Sequence, residues 1–331
     1  MDLTILWAGI IAFAVFAYVV MDGFDLGIGV LFPTFKVGPE RDQAMNSIAP
    51  VWDGNETWLV LGGGGLFAAF PLAYAVLLPA TYPLVIAMLL GLVFRGVAFE
   101  FRWRDPAHRP LWDAAFTGGS LVAAMAQGMI LGAMLQGIAV EDRAYAGSWF
   151  DWLTPYTLLT GVGTTAGYAL LGSTWLIWKL EGPAQDHAYK LALKSLLATG
   201  ALMGAVSLYN LFLRPEYYER WLTTPEILFT WPVPVLTGIA AVLLWRAIAK
   251  RREAAPFFLS LLLFLLGMAG LGLTMYPNVI PPDMSIWDAA APERSQIFML
   301  VGVAITMPLI IAYTAWAYYV FRGKVGSEGY H

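Results

Sequence analysis

From Leu3 to Phe321 the chain repeats one pattern, an apolar stretch of membrane length followed by a short polar break. A helix that crosses the hydrocarbon core needs about 20 mostly apolar residues. Of the 331 residues 59% are hydrophobic and only 13% charged, where a soluble domain carries about 25% charge. Most of the surface must therefore face lipid or other apolar helices. The pattern predicts an all-α, polytopic integral membrane protein, a single transmembrane domain over 1–331. By the length rule about nine spans are expected, at roughly 3–32, 56–78, 79–101, 112–140, 157–180, 191–213, 228–249, 256–276 and 297–321. The second and third are divided only by Pro79-Ala80-Thr81-Tyr82-Pro83, and an early break at Pro71 would leave eight. Two four-helix bundles plus one peripheral helix fit the count. Met1-Asp2 lacks a basic n-region and the first apolar run is too long for a signal peptide, so that run is expected to persist as a spanning helix.

Lysine and arginine placement sets the expected orientation, because cytoplasmic loops retain positive charge. With the N-terminus periplasmic and the C-terminus cytoplasmic, fourteen of the nineteen Lys and Arg residues fall in inner segments and four in outer ones. Arg95 alone is left inside a span. Dropping the second or third crossing would invert half of the loops and spoil this bias. Tryptophans and tyrosines near span ends, such as Trp7, Trp149, Trp231 and Trp316, fit interfacial belts. The pairs Gly128/Gly132 and Gly163/Gly167 are spaced for close helix packing. Gly62-Gly63-Gly64-Gly65 weakens a helix by roughly 1 kcal/mol per glycine. It reads either as tight packing or as a narrow passage free of side chains.

Residue types that are absent exclude much chemistry. His108, His187 and His331 all fall in polar loops or at the C-terminus, and Cys is 0. A haem or copper inside a helix bundle normally takes an imidazole or sulfur from a helix wall, and the methionines offer only a weaker alternative. No metal site, disulfide or covalent haem attachment is expected in this chain. The net charge of -4 is small and gives no sign of a nucleic-acid partner.

Ionisable residues nevertheless occur where they are expensive. Asp22 and Asp25 end the first apolar run and, three apart, share a helix face. At 1.5 Å per residue they lie about 30 Å from the outer end. Asp53 and Glu56 open the second span, and Arg95 and Glu100 close the third, so all six are expected at one depth on the inner side. Asp53-Gly54-Asn55-Glu56 also fits a capping box, and Arg95 fits a simple tie between helices. The carboxylates outnumber the cation, however, and surplus buried carboxylates tend toward proton exchange. A proton path through Asp22, Asp25, Asp53 and Glu56, with Arg95 as ion partner, is the sharper expectation. Gln127, Gln136 and Asn210 read as interhelical hydrogen-bonding groups. The Pro-rich segment 276–288 reads as a rigid outer loop.

Three stretches carry a resemblance. They are Met21-Asp22-Gly23-Phe24-Asp25-Leu26-Gly27, Asn46 to Trp58 (with Trp52-Asp53-Gly54-Asn55-Glu56-Thr57-Trp58), and Phe94-Arg95-Gly96-Val97-Ala98-Phe99-Glu100. They resemble subunit II of cytochrome bd quinol oxidases, and Ser285 to Ala289 and Leu309 to Trp316 extend the likeness to the far end. The short length and Asn55-Glu56-Thr57-Trp58 are most similar to the cyanide-insensitive oxidase branch. The resemblance implies a heterodimer in the bacterial cytoplasmic (inner) membrane, with a haem-bearing subunit I that ligates the b and d haems and in some cases a small accessory peptide. The complex would oxidise quinol, reduce dioxygen to water in the aerobic respiratory chain and generate proton motive force. This chain would ligate no cofactor, although some members hold a structural quinone or lipid. It implies further that Asp25 and Asp53 belong to a proton path, and that Trp58 with Gly62 and Gly63 marks a lateral oxygen entry. A proton-coupled secondary transporter built on Asp22, Asp25 and Arg95 is the alternative, for which matched helix breaks at the midplane are missing.

Overall fold

The computed structural model describes residues 2–326; His331 lies outside them. The helices are, in order, α1 Leu3–Leu31, α2 Pro39–Asn46, α3 Trp52–Ala69, α4 Pro71–Arg104, α5 Arg109–Gln136, α6 Pro155–Lys179 and α7 Gly182–Asn210, then α8 Pro215–Leu222, α9 Ile227–Thr230, α10 Pro232–Ala249, α11 Ala255–Met275, α12 Ile286–Ala289 and α13 Glu293–Val320. Two 3₁₀ turns, Phe32–Thr34 and Pro106–His108, and two short antiparallel hairpins complete the regular structure among the described residues; the hairpins pair β1 (Val140–Glu141) with β2 (Ala144–Tyr145), and β3 (Asn278–Ile280) with β4 (Met284–Ser285).

Local chemistry starts these helices. The Asp2 carboxylate accepts from the Thr4 amide at 2.8 Å and from Ile5 at 3.3 Å, capping α1. Thr154 and Thr157 form a capping box on α6. Pro71 occupies the first turn of α4, where its missing N–H costs nothing.

That last choice corrects an expectation. The chain turns at Phe70, not at Pro79–Pro83, and both of those prolines lie inside the 34-residue α4. Phe70 precedes a proline and is pushed out of the helical region, to φ -130° and ψ 62°. Within a span, irregular backbone would bare polar groups to lipid, so α4 runs on through its prolines while the Thr81 hydroxyl bonds Leu77 O at 2.8 Å. In place of the expected spans 56–78 and 79–101 stand the helices Trp52–Ala69 and Pro71–Arg104. The expected span 191–213 also begins earlier, at Gly182, so His187 sits on the first turns of a helix rather than in a loop. Its ring nitrogen lies 3.0 Å from Thr34 Oγ1 and its ring packs edge-on against Phe35.

Among the described residues seven helices are long and apolar enough to cross a membrane, fewer than the nine spans expected. α3 and α6 are the two long helices outside that set. α3 is short (18 residues, about 27 Å) and carries Asp53, Glu56 and the glycine run. α6 is rich in threonine and glycine and is mostly buried, its hydroxyls returning to carbonyls of its own helix.

α1, α3, α4 and α5 pack around one ring, and α6, α7, α10 and α11 around a second. α6 joins the rings by packing on both α1 and α5, and α13 leans on the outside of α1 and α3. Glycines let the backbones approach where the rings meet. A Cβ on Gly27 would land on the Tyr168 backbone, and one on Gly172 would lie 2.6 Å from the Gly27 carbonyl carbon. A second apolar cluster of Trp7, Phe70, Ile138, Ile280 and Ile286 closes the opposite end of the first ring. There the 276–288 segment folds back on the chain's own N-terminus, and Trp287 Nε1 donates to Asp2 at 2.8 Å.

Candidate functional site: a buried carboxylate–arginine cluster

α1, α3 and α4 each bring one part of a charge cluster to one end of the first ring. Asp22, Asp25 and Arg95 are all 0% exposed. Arg95 Nη1 donates to Asp22 Oδ1 at 2.7 Å and to Glu56 Oε1 at 2.8 Å, and Nη2 reaches Asp25 Oδ2 at 3.3 Å. The guanidinium carbon lies 5.8 Å from the centroids of both Trp52 and Phe99, whose rings stack, a cation–π cradle. Asn55 Nδ2 donates to Asp25 Oδ2 at 2.8 Å, and Tyr318 on α13 donates to Asn55 Oδ1 at 2.8 Å. On the other side Tyr18 precedes Asp22 by one turn of α1. Gln127 donates to the Tyr18 hydroxyl at 2.8 Å and accepts from Tyr168 at 2.6 Å. One hydrogen-bonded chain thus runs from Asp22 through Arg95, Asp25 and Asn55 to Tyr318, and another joins Tyr168, Gln127 and Tyr18.

Three carboxylates share one guanidinium, so full ionisation would leave two negative charges without a counter-ion in a low-dielectric site. Asp25 Oδ1 and Arg95 Nε are buried without a partner among the described residues. A cluster of this stoichiometry can take up and release a proton between neighbouring oxygens while Arg95 holds the geometry.

The structure separates the expected residues. Asp22, Asp25, Glu56 and Arg95 meet. Asp53 does not touch Arg95; it is exposed one turn before Glu56, which is itself 26% exposed. The expected capping box fails, because Val51 is the N-cap and Asp53 already lies in the first turn. Glu100 stands apart in an exposed pair with Arg104 at 3.3 Å. Trp58 is 2% exposed, edge-on to Phe13 at 5.7 Å, with its indole N–H unpartnered among the described residues. The glycine run splits: Gly62 and Gly65 pack against Val15 and Ile11, whereas Gly63 and Gly64 face open space.

A second buried network was not foreseen. Arg102, 1% exposed, bonds Asp113 at 2.6 Å and Asp42 at 2.7 Å, and Arg41 bonds Asp113 at 2.7 Å. It ties α2 to the adjoining ends of α4 and α5. The available signal was an acid, Asp113, at the very start of an apolar run.

No group of three His, Cys, Asp or Glu residues among the described ones is arranged to hold a metal. Of the described histidines, His108 is exposed beside Asp105 and His187 lies on the first turns of α7 beside Thr34.

The chain is 30% identical to cytochrome bd-I ubiquinol oxidase subunit 2 of Escherichia coli (strain K12), over 98% of this chain and 96% of that protein. It is 29% identical to cytochrome bd ubiquinol oxidase subunit 2 of Bacillus subtilis (strain 168), over 98% and 97%. Its fold matches the structure of bd oxidase from Geobacillus thermodenitrificans with a TM-score of 0.79, covering 97% of this chain and 99% of the other at 18% identity. The profile described as Cytochrome bd terminal oxidase subunit II matches residues 3–321, so a multi-pass chain with a buried carboxylate–arginine core belongs to that family.

Proposed function

We propose that this chain acts as the non-haem-ligating subunit II of a bd-type quinol oxidase, seated against a haem-bearing subunit I, in a complex that oxidises quinol and reduces dioxygen to water. Its role there is to stabilise subunit I and to carry protons from the inner side through Asp53, Glu56 and the Arg95 cluster. The observation that carries this reading is the meeting of Asp22, Asp25 and Glu56 on one guanidinium, with Asp53 exposed one turn away. Asp53 stands on an outward face of α3 beside Val60 and Phe67, 73% and 60% exposed. No residue in the most apolar stretch of α13 is buried in this chain. These faces suit subunit I, and Asp53 with Glu56 would then join the cluster to the partner.

Nine crossings with the N-terminus outside belong to the same reading. In support, α3 runs beside α1 from Asp22, which Arg95 links to Glu56, to Trp7, which packs with Phe70, so it covers the depth of its neighbour despite its polar first turns. α6 is enclosed by α1, α5, α7 and α11, which explains its low hydropathy. The length and Asn55-Glu56-Thr57-Trp58 favour the cyanide-insensitive branch. A lateral oxygen entry near Trp58 draws support from the bare surface over Gly63 and Gly64. The transporter alternative draws no support from the cavity near Phe13 or the one near Trp175, neither of which is lined by Asp22, Asp25 or Arg95.

The test is quinol-dependent oxygen uptake with simultaneous proton uptake in the reconstituted complex. Asp53→Asn and Glu56→Gln should each lower both rates roughly tenfold or more, as losing one positioned proton carrier does. Run at falling oxygen, the same assay should show Gly63→Leu raising the apparent KM for oxygen with kcat retained. Unchanged proton uptake in Asp53→Asn, Glu56→Gln and Asp25→Asn alike would sink the proton route.

A further inference from the structure

At the helix ends where the chain finishes, a cavity of about 340 Å³ opens between the end of α6, the 321–325 tail and the segment before α3. Its walls include Ser47, Trp175, Lys179, Tyr318, Phe321 and Lys324. Lys179 is only 3% exposed. Its ammonium donates to the carbonyls of Phe321 and Gly323 and lies 5.1 Å from the Trp175 ring. Among the described residues it forms no ion pair with any carboxylate.

Pinning the tail explains the two carbonyl bonds but not the charge. Any neutral donor would serve, and burying an ammonium without a counter-charge is costly. Lys324 adds a second positive charge, its ammonium 3.1 Å from Leu180 O and 2.9 Å from Glu253. Counting Lys179, Lys324 and Glu253 leaves one net positive charge facing a roomy cavity. The remaining wall combines Trp175, Tyr318, Val320, Phe321 and Val325 with the polar Asn46 and Ser47. Lysines bind phosphate as point charges, and basic pockets between helix ends at a membrane surface hold anionic headgroups.

We propose that this cavity is a binding site for a phosphate group, held by Lys179 and Lys324, with its organic portion against Trp175 and Tyr318. The inference stands independently of the proton route, because it uses none of those carboxylates and applies at whichever membrane surface these helix ends reach.

The complex, isolated in mild detergent and washed free of lipid, is offered phosphatidylglycerol or phosphatidylcholine, and retained lipid is counted by native mass spectrometry. A parallel arm offers millimolar inorganic phosphate and reads the thermal shift. Phosphatidylglycerol should be retained in preference to phosphatidylcholine. Lys179→Gln, which keeps N–H donors for the tail carbonyls, and Lys324→Gln should each weaken retention about fivefold, the effect of one lysine charge at a membrane surface. Lys250→Gln, a basic residue outside the cavity, should behave as wild type. A lipid headgroup is the source if phosphatidylglycerol binds and inorganic phosphate has no effect. A free phosphate is the source if inorganic phosphate gives a saturable shift that Lys179→Gln abolishes. Should Lys179→Gln fail to assemble, Lys324→Gln carries the test, since that side chain is 29% exposed and its loss leaves the Lys179 bonds intact. Equal phosphatidylglycerol retention by wild type and variants, with no effect of phosphate, overturns the proposal.

Discussion

Arg95 is fully buried and pairs with three carboxylates, so its charge is the term on which the others depend. Breaking a buried pair from one side costs roughly 3–5 kcal/mol, because the remaining charges stay desolvated. Arg95→Met should therefore lower the thermal midpoint of the detergent-solubilised complex sharply, or prevent its accumulation. Asp53→Asn, at an exposed position, should stay within about 0.5 kcal/mol of wild type. Equal thermal midpoints for the two variants would mean that the cluster is not held by Arg95. Asp22, Asp25 and Arg95 were legible in the sequence because a charge inside an apolar run is conspicuous. The division of labour between Asp53 and Glu56 was not. They are separated by one turn of α3, and only the true helix start at Trp52 decides that Glu56 meets the guanidinium while Asp53 faces outward.

At the scale of elements, α13 is tied to the cluster by one side chain. Tyr318 donates to Asn55, and Asn55 in turn orients its amide toward Asp25. Tyr318→Phe removes that bond, worth about 1 kcal/mol net, and frees the Asn55 amide to rotate. Backbone hydrogen exchange over 310–320 should then rise while that over α1 stays unchanged; no change over 310–320 would show that α13 is held by its apolar contacts alone. The α3–α4 boundary teaches the same dependence on environment. Three prolines, Pro71, Pro79 and Pro83, are chemically alike, yet only Pro71 marks a turn. It follows Phe70, which packs at the end of the ring in a cluster with Trp7 and Ile286, whereas the other two lie where a broken helix would expose its carbonyls to lipid. α7 likewise starts at Gly182 because polar residues continue a helix once its far end is anchored, which a hydropathy rule does not register.

The whole molecule is closed at one end by contacts between its N-terminus and the 276–288 segment. Trp287 holds the Asp2 carboxyl below the ordinary carboxylate range, and the Ser285 hydroxyl holds Asp288 below it. A carboxyl depressed in the folded state contributes stability above its unfolded value of about 4, and that contribution is lost as pH falls through the lower folded value. Hydrogen exchange over 276–291, corrected for intrinsic rates, should thus be flat from pH 5 to 8 and rise only below about pH 4. Loss of protection between pH 5 and 7 would point to another group. From the sequence alone came the membrane class, the all-helical architecture and the identity of the intramembrane charges. These follow from local composition, since the cost of a charge or a bare backbone in hydrocarbon is set residue by residue. Which carboxylates meet Arg95, which proline turns the chain, and the burial of Lys179 and Arg102 were decided by tertiary packing. Those outcomes depend on the rotational phase of each helix and on which helices become neighbours, and neither is encoded in any single stretch of sequence.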